Sequence, residues 1–313
     1  MAQTILVTGG AGFIGSHLVD ALVERGDRVV VIDNLSSGKR EQVSTTAEFH
    51  EFDLATDDIA GLIQSLKPDL IFHLSAQVNV RKSISDPLHD LIQNVVASIR
   101  LMDASARESQ PPGIIFISTG GAMSSERTVL PTPEEMADAS TSPYALAKRT
   151  VEKYGVLYRK HYRLPCLTAR LANVYGPRQN PQSEAGVVAI FLSRMIANEH
   201  VVITGDGTQT RDFIYVDDVV DGLLELSKHV HDAKCSIYNL GSSIETSVND
   251  LFAICAATIS SPMTPRFGAA DMGAPLRSAL DTTRIQTEFG WNPTTTIQNG
   301  ISKTANWFKS HVS

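Results

Sequence analysis

Tyr144 and Lys148 lie four positions apart, directly after Ser142 and Pro143. Proline is favoured in the first turn of a helix, so this segment predicts a helix that begins near residue 143. Residues four apart share one helix face, so the phenol and the ammonium should point the same way. A phenol titrates near pH 10, and a neighbouring ammonium favours the phenolate. We therefore predict general acid–base catalysis by Tyr144, assisted by Lys148.

A glycine-rich turn precedes this pair in the chain, with glycines at positions 9, 10, 12 and 15. The turn follows a short apolar run and leads into a helical pattern. Glycines there let the backbone turn sharply and approach a pyrophosphate, which sits at the helix N-terminus. The residues predicted to contact a dinucleotide are Gly9, Gly12, Phe13, Ile14 and Gly15.

Asp33 ends the second apolar run, 18 positions after Gly15. A carboxylate at this point accepts hydrogen bonds from the adenosine ribose hydroxyls and would repel a 2′-phosphate. Asn34 follows, and no arginine stands beside it. The strand, the glycine turn, the helix and the acidic residue together predict NAD as the cofactor, in preference to NADP.

The elements that must position these residues alternate along the chain. Short β-branched runs predict strands at 4–8, 28–33, 48–52, 70–74, 114–118 and 166–171. Helical patterns predict helices at 16–25, 187–198 and 216–228. Nearly continuous apolar strands between helices are typical of a parallel sheet covered on both faces. The predicted fold is therefore α/β, a Rossmann-type doubly wound parallel sheet.

The second half of the chain has a different character, because polar loops interrupt its helices. These loops span residues 178–186, 204–211 and 268–276, and loops of this length tend to carry function. We predict an NAD-binding Rossmann domain over 1–170, joined by parts of 212–240. Residues 171–313 are predicted to form a smaller α/β lid that binds the substrate.

Composition narrows the class of protein. The chain has 313 residues and a formal net charge of −7, without a lysine or arginine cluster, which disfavours nucleic-acid binding. No apolar run approaches the roughly 18 residues of a membrane span, and no secretory signal is evident. The three cysteines are odd in number and widely spaced, which argues against a disulfide framework and against a metal site. We expect a cytoplasmic protein.

The motifs together resemble a known family over essentially the whole chain. They are the glycine turn with its flanks (7–17), the segments 33–38, 72–77 and 142–144, Asn173 to Arg178, and 205–213. This series resembles the extended short-chain dehydrogenases and the NAD-dependent epimerase/dehydratase family, most closely the UDP-glucose 4-epimerases.

The resemblance assigns roles to further residues. In the cofactor cleft it implies Asn34, Ser36, Ser37, Gly38, Asp53, Leu54, Leu74, Ala76, Gln77, Asn94 and Ser118, besides Tyr144 and Lys148 themselves. For the nucleotide sugar it implies Asn173 and Arg211 at the diphosphate, with Val187 and Val188 packing the nucleotide. For Arg211 the sequence leaves one alternative open, a surface ion pair with Asp212 or Asp217.

Three positions depart from the family pattern. Gly120 stands where members place the Ser or Thr that bonds the sugar 4-hydroxyl, so Thr119 or Ser118 must substitute. A pocket aromatic is replaced near Met123 and Ser124. Asp271 stands where an arginine usually grips the diphosphate, and Arg277 is expected to compensate. These departures bear on the identity of the sugar.

Dehydratases of this family need an acidic pair where this chain has Gly120 and Gly121, so dehydration is disfavoured. The reaction that remains is oxidation of the sugar at C4 followed by its reversal. The resemblance implies C4 epimerisation of a UDP-sugar, UDP-glucose/UDP-galactose first, with UDP-glucuronate or a UDP-N-acetylhexosamine as alternatives. A non-catalytic NAD- or nucleotide-sugar-binding protein and a reductase that releases NADH also stay open. The family implies a homodimer, paired through the Tyr144 helix and a helix near 90–107.

Overall fold

A computed structural model describes residues 2–121, 129–136, 140–182, 186–269 and 275–311 of the chain. Its strands are β1 (Thr4–Thr8), β2 (Arg28–Asp33), β3 (Glu48–Glu51), β4 (Leu70–His73), β5 (Gly113–Thr119), β6 (Cys166–Leu171), β7 (Asn173–Tyr175), β8 (Val202–Thr204), β9 (Thr210–Tyr215), β10 (Ile237–Leu240), β11 (Glu245–Ser247) and β12 (Arg266–Gly268). Its α-helices are α1 (Phe13–Glu24), α2 (Ile59–Leu66), α3 (Val80–Ser85), α4 (Pro87–Leu91), α5 (Ala97–Ala106), α6 (Pro143–Tyr162), α7 (Val187–Ile196), α8 (Val216–Lys228), α9 (Val248–Ile259), α10 (Thr283–Phe289) and α11 (Ile297–His311).

The central sheet has seven strands in the order β10-β6-β5-β4-β1-β2-β3. Strand β1 pairs in parallel with both β2 and β4, so the order of the strands reverses at β1. In such sheets the ligand crevice lies beyond the carboxyl ends of the strands at this reversal. The predicted doubly wound Rossmann-type sheet is confirmed.

Burial on both faces explains why these strands read as continuous apolar runs. Every residue from Ile5 to Thr8 is buried, and so is every residue from Val29 to Asp33. Helices α2, α5 and α6 supply Ile63, Leu101 and Val151 to the same core cluster. A sheet covered in this way is held rigid, so the strand ends can fix the site.

Several element bounds follow the sequence pattern closely. The predicted strands at 4–8, 28–33 and 166–171 have the observed bounds, as does the helix at 216–228. The first helix begins at Phe13, earlier than predicted, because Gly12 of the glycine turn is itself the N-terminal cap.

The backbone clusters into two compact units. The first comprises Met1–Thr119, Ser142–Arg170 and Val220–Tyr238, and the second comprises Gly120–Thr141, Leu171–Val219 and Asn239–Ser313. The second unit thus takes residues 120–141, which the sequence pattern placed with the first 170. It holds the small sheets β11-β9-β7 and β12-β8. Within the described parts of the chain, no helix has the length and apolar character needed to span a membrane.

Candidate active site

The glycine turn leaves a helix terminus open at the end of β1. Gly9 has a φ of +71°, and a Cβ atom on it would lie 2.7 Å from the backbone nitrogen of Ser75. A Cβ on Gly15 would overlap the carbonyl oxygen of Gly9. No side chain among the described residues caps α1, so the amides of Phe13 and Ile14 face outward for a ligand. This donor set fits the pyrophosphate of a dinucleotide.

Asp33 lies beside this turn at the end of β2 and is 8% exposed. Its Oδ2 accepts from the Ala11 amide at 3.0 Å, and its Oδ1 accepts from the Leu35 amide at 2.8 Å. Burial raises the pKa of Asp33, while these two hydrogen bonds lower it. The carboxylate is therefore held rigidly by the backbone, with free lone pairs for the hydroxyls of a ribose.

The other residues implied for the adenosine end of NAD lie in the loops that follow β2, β3 and β4. Asn34 donates from Nδ2 to Asp53 Oδ2 at 3.2 Å, joining the loops that follow β2 and β3. A Cβ on Gly38 would lie 2.9 Å from Ala11, so only glycine fits against the glycine turn there. The exposure of the remaining residues differs: Ser36 and Ser37 are exposed, Leu54 is buried, and Leu74 and Ala76 are half-buried.

A chain of hydrogen bonds connects β1, β4 and the helix after it. Ser98 Oγ donates to the Asn94 carbonyl at 2.5 Å, so it must accept from His73 Nε2 at 2.8 Å. His73 Nδ1 is then the acceptor for Thr8 Oγ1 at 2.8 Å, and Thr8 accepts from the Ser75 amide. Burial lowers the pKa of His73 to about 3, so the ring is neutral and its tautomer is fixed.

Asn94 lies in a π-helical turn, Ile92–Val96, between α4 and α5. Its side chain accepts from the Gln77 amide at 2.9 Å and donates to the Gln77 carbonyl at 3.0 Å and to Asp90 Oδ1 at 2.9 Å. Such turns occur frequently at functional sites because they re-aim a side chain. The turn holds the loop after β4, which contains Ala76 and Gln77, against the helix.

Tyr144 and Lys148 lie in the first two turns of α6. Ser142 caps this helix by accepting from the Ala145 amide at 3.2 Å, and Pro143 occupies its first turn as predicted. Lys148 is buried, and its Nζ donates to the Ile117 carbonyl at 3.0 Å. The same Nζ lies 6.0 Å from the centre of the Tyr144 ring.

The electrostatics of this pair differ from the sequence expectation. Burial lowers the pKa of Lys148 to about 8, against the raising effects of Asp90 and Glu152. Burial and the negative charge of Asp90 raise the pKa of Tyr144 well above its ordinary value. The phenol of the chain alone is thus protonated at neutral pH, because burial outweighs the ammonium.

Ser118 is tied to a buried ion pair that sequence reasoning missed. Its Oγ donates to Glu152 Oε1 at 2.7 Å, so its proton is not available to a substrate. Glu152 also accepts from Arg170 at 2.7 and 2.6 Å and from Arg149 at 2.9 Å. Lys148 and Glu152 are four residues apart, so they lie on the same face of α6. This spacing is the sequence signal from which a role for Glu152 could have been predicted.

The residues implied for the nucleotide sugar lie in the second unit. Asn173 opens β7, and Val187 and Val188 begin α7. Arg211 is half-buried in β9, where burial lowers its pKa and Nη1 donates to the Thr210 carbonyl at 2.7 Å. Among the described residues Arg211 forms no ion pair with Asp212 or Asp217, so the surface ion pair left open by the sequence is not seen.

Arg277 and Gly120 lie in the second unit too. Arg277 forms an ion pair with Glu245 at 2.5 Å in this structure. A Cβ on Gly120 would lie 2.5 Å from both methyl groups of Leu280, which fill the space of a Ser or Thr side chain. The other departures, Met123, Ser124 and Asp271, lie outside the described residues.

Comparisons with known proteins agree with this geometry. Residues 5–241 match the model of the NAD dependent epimerase/dehydratase family. The UDP-glucose 4-epimerase of Mycolicibacterium smegmatis is 41% identical over 310 residues, covering 97% of this chain and 98% of the relative. The crystal structure of the Thermotoga maritima UDP-glucose 4-epimerase with UDP-glucose is 38% identical, with a TM-score of 0.94 and coverage of 99% and 100%. The Thermus thermophilus UDP-glucose 4-epimerase in complex with NAD is 33% identical, with a TM-score of 0.90 and coverage of 99% and 100%.

Proposed function

Because the chain belongs to the NAD dependent epimerase/dehydratase family, we propose that it inverts C4 of a UDP-sugar, interconverting UDP-glucose and UDP-galactose. The observation that carries this proposal is the pair of Tyr144 and buried Lys148, at the start of α6 in the unit that holds the NAD cleft. The names and full-length similarity of the relatives support the choice of substrate.

NAD, when bound, supplies the hydride acceptor and donor for this reaction. The amides of Phe13 and Ile14 would hold its pyrophosphate, and Asp33 would hold its adenosine ribose. Tyr144 removes the proton of the C4 hydroxyl, with Thr119 polarising that hydroxyl. Lys148 would bind the nicotinamide ribose and stabilise the phenolate. The same phenol returns the proton after the 4-keto sugar has presented its other face.

The substrate's diphosphate needs cationic and amide donors that are not already paired. Arg211 offers a planar, desolvated guanidinium suited to phosphate geometry. Asn173 offers a side-chain amide, while Val187 and Val188 offer an apolar wall for the uracil. Arg277 would join them by exchanging its Glu245 partner for a phosphate.

We also propose a homodimer paired through α4, the π-helical turn and α6. These helices pack against one another and expose apolar side chains that a monomer would leave in water. The exposed residues are Leu88, Leu91, Ile92, Val96, Leu146, Tyr154, Val156 and Leu157.

The three cysteines are free thiols, which suits the reducing cytoplasm.

The direct test is conversion of UDP-galactose to UDP-glucose by the purified protein with bound NAD. We expect Tyr144→Phe to lower kcat by about 10²–10⁴-fold while NAD content is unchanged, because the acid–base group is lost. The matched control is Tyr162→Phe, an exposed tyrosine of the same helix, which should keep wild-type turnover.

Other outcomes of this assay lead to other functions. Conversion of UDP-glucuronate or a UDP-N-acetylhexosamine alone would reassign the sugar. Free NADH accumulating during turnover would identify a reductase. Tight NAD and UDP-sugar binding without any conversion would overturn the enzymatic proposal.

A further inference from the structure

The carboxyl end of strand β5 extends past the strand that pairs with it on one side. The register of β4 with β5 ends at His73 opposite Phe116. The Ile117 carbonyl lies one residue further on, and it accepts a hydrogen bond from Lys148 Nζ at 3.0 Å. The ammonium of the proposed catalytic pair is therefore held by a backbone atom of β5, at the edge of the sheet where the ligand crevice forms.

The next residue of the strand, Ser118, is tied to the same helix. Ser118 is buried, and its Oγ donates to Glu152 Oε1 at 2.7 Å. Glu152 follows Lys148 by one helical turn on α6, which packs against β5. Two consecutive residues of β5 thus bind two side chains one turn apart. This double contact fixes the strand end in both position and orientation against the helix.

Glu152 is the fixed partner in its contact with Ser118. Arg170 of β6 donates to both of its carboxylate oxygens, at 2.7 and 2.6 Å, and Arg149 donates to Oε2 at 2.9 Å. These charge-assisted hydrogen bonds anchor the buried carboxylate from a neighbouring strand and from its own helix. The position of Ser118 is therefore set by Glu152, and the reverse influence is small.

The position of Lys148 depends in turn on the peptide between Ile117 and Ser118. The hydrogen bond that Nζ makes within the described residues goes to the carbonyl of this peptide. Nζ lies 5.0 Å from the centre of the Phe116 ring and 6.0 Å from the centre of the Tyr144 ring. A rotation of the peptide would move the carbonyl, and with it the ammonium, relative to both rings.

We propose that Glu152 is a positioning residue that acts through Ser118: it fixes the peptide after Ile117 and so holds the Lys148 ammonium in its place beside Tyr144. The catalytic consequence rests on the proposed function, but the placement of Lys148 does not. Displacing a reacting group by about 1 Å can lower a rate by about 10²-fold, so a tether that does not touch the substrate can still govern turnover.

The test is Ser118→Ala, which removes the donated hydrogen bond and leaves Glu152 paired with Arg170. In NAD-bound protein labelled with ¹³C at lysine Cε, the Lys148 signal is assigned by its loss in Lys148→Met. The nearby aromatic rings shift this signal, so it reports the position of the side chain. We expect it to move toward the signals of exposed lysines in Ser118→Ala. The matched control is Ser105→Ala, a buried serine whose Oγ has no hydrogen-bond partner among the described residues, and it should leave the signal unchanged.

Turnover gives a second readout. The kcat of Ser118→Ala should fall by about 10–10²-fold, while the KM for the UDP-sugar stays within about twofold, because no contact with the substrate is removed. Ser118→Thr keeps the hydroxyl and should restore both kcat and the Lys148 signal. A raised KM with an unmoved Lys148 signal would mean that Ser118 contacts the substrate, and this result would overturn the proposal.

Ser118→Cys keeps the proposal testable even if Ser118→Ala does not fold. A cysteine is close to serine in size, but its thiol is a weak donor, so the tether to Glu152 should weaken. The Lys148 signal should move in the same direction by a smaller amount, and an unmoved signal would refute the tether. The signal is read without turnover. A protein that converts no UDP-sugar but shows these shifts would contradict the proposed function and support the positioning role of Glu152.

Discussion

At the scale of single residues, Gly120 shows how one neighbour can explain a departure from a family pattern. The space that a Ser or Thr side chain would fill is occupied by Leu280, which is 2% exposed. The Gly120 amide donates to the Leu171 carbonyl at 2.9 Å, so the backbone cannot move aside easily. A Ser or Thr side chain at position 120 therefore has no room beside Leu280.

We predict that Gly120→Ser lowers the free energy of unfolding by about 1–3 kcal/mol, because the added side chain overpacks against Leu280. Leu280→Ala alone should lower the free energy of unfolding by about 2–5 kcal/mol. The variant with both substitutions should lose less than the sum of the two single losses. Urea unfolding measures these values. Pairing Gly120→Ser with Ile203→Ala, a distant buried truncation, should be additive; additivity in the Leu280 pair would contradict the explanation.

At the scale of elements, the buried Glu152–Arg170 pair joins α6 to β6. The side chains are 0% and 1% exposed, so the desolvation of both charges is complete. Ser118 of β5 donates to the same glutamate, which fixes the end of that strand, where Thr119 follows. The Glu152–Arg170 pair and Ser118 thereby hold α6 against two strands.

Removing one partner of the Glu152–Arg170 pair should destabilise the fold strongly. We expect Arg170→Met to lower the free energy of unfolding by about 3–5 kcal/mol, because it leaves a buried carboxylate short of donors. Arg107→Met is the control: its pair with Asp103 is 76% and 44% exposed, so its loss should cost below about 1 kcal/mol. Equal costs for the two substitutions would show that burial of the first pair is unimportant.

The hydrogen-bond chain through His73 gives the fold a pH dependence with a definite sign. The folded pKa is about 3 and the ordinary value is 6.5, so between these values only the unfolded chain binds the proton. This contribution to stability is therefore complete above pH 6.5 and is lost as the pH falls toward 3.

We expect the stability advantage of wild type over His73→Gln to shrink as the pH falls from 7 to 4. The slope should be at most about 1.4 kcal/mol per pH unit, measured by urea unfolding at each pH. The control is His161→Gln, at an exposed histidine of α6, which should show the same dependence of stability on pH as wild type. Parallel curves for wild type and His73→Gln would mean that the buried ring does not govern this dependence.

At the scale of the whole molecule, the apolar face on α4, the π-helical turn and α6 concerns the assembly. Leu146 and Leu157 lie on α6 eleven positions apart, three helical turns, and are 59% and 43% exposed. A face of this size on adjacent helices is what an isologous dimer would bury.

We predict that Leu146→Glu with Leu157→Glu converts the proposed dimer to a monomer, because burying two carboxylates in an apolar interface is unfavourable. Sedimentation velocity or light scattering after gel filtration measures the mass. Phe267→Glu, an exposed apolar residue of the second unit, should leave the mass unchanged. A wild-type protein that is monomeric at micromolar concentration would contradict the proposed homodimer.

The local motifs made the fold and the cofactor predictable. The glycine turn, Asp33 and the strand runs are features of a few consecutive residues, and steric limits on φ or a period of two or 3.6 express them directly. The spacing of Tyr144 and Lys148 is local too, since four residues make one helical turn. For these features the sequence contains the physical cause.

What the sequence by itself determined is thus the Rossmann-type sheet, NAD as the cofactor and the placement of Tyr144 and Lys148 as a pair on one helix. Only the tertiary structure decided how that pair is charged and what surrounds it. Ser118 donates to Glu152 across 34 positions, and Leu280 fills the space at Gly120 across 160 positions. Desolvation and charge depend on every group packed around a site, and packing partners so distant in the chain leave no spacing rule in the sequence.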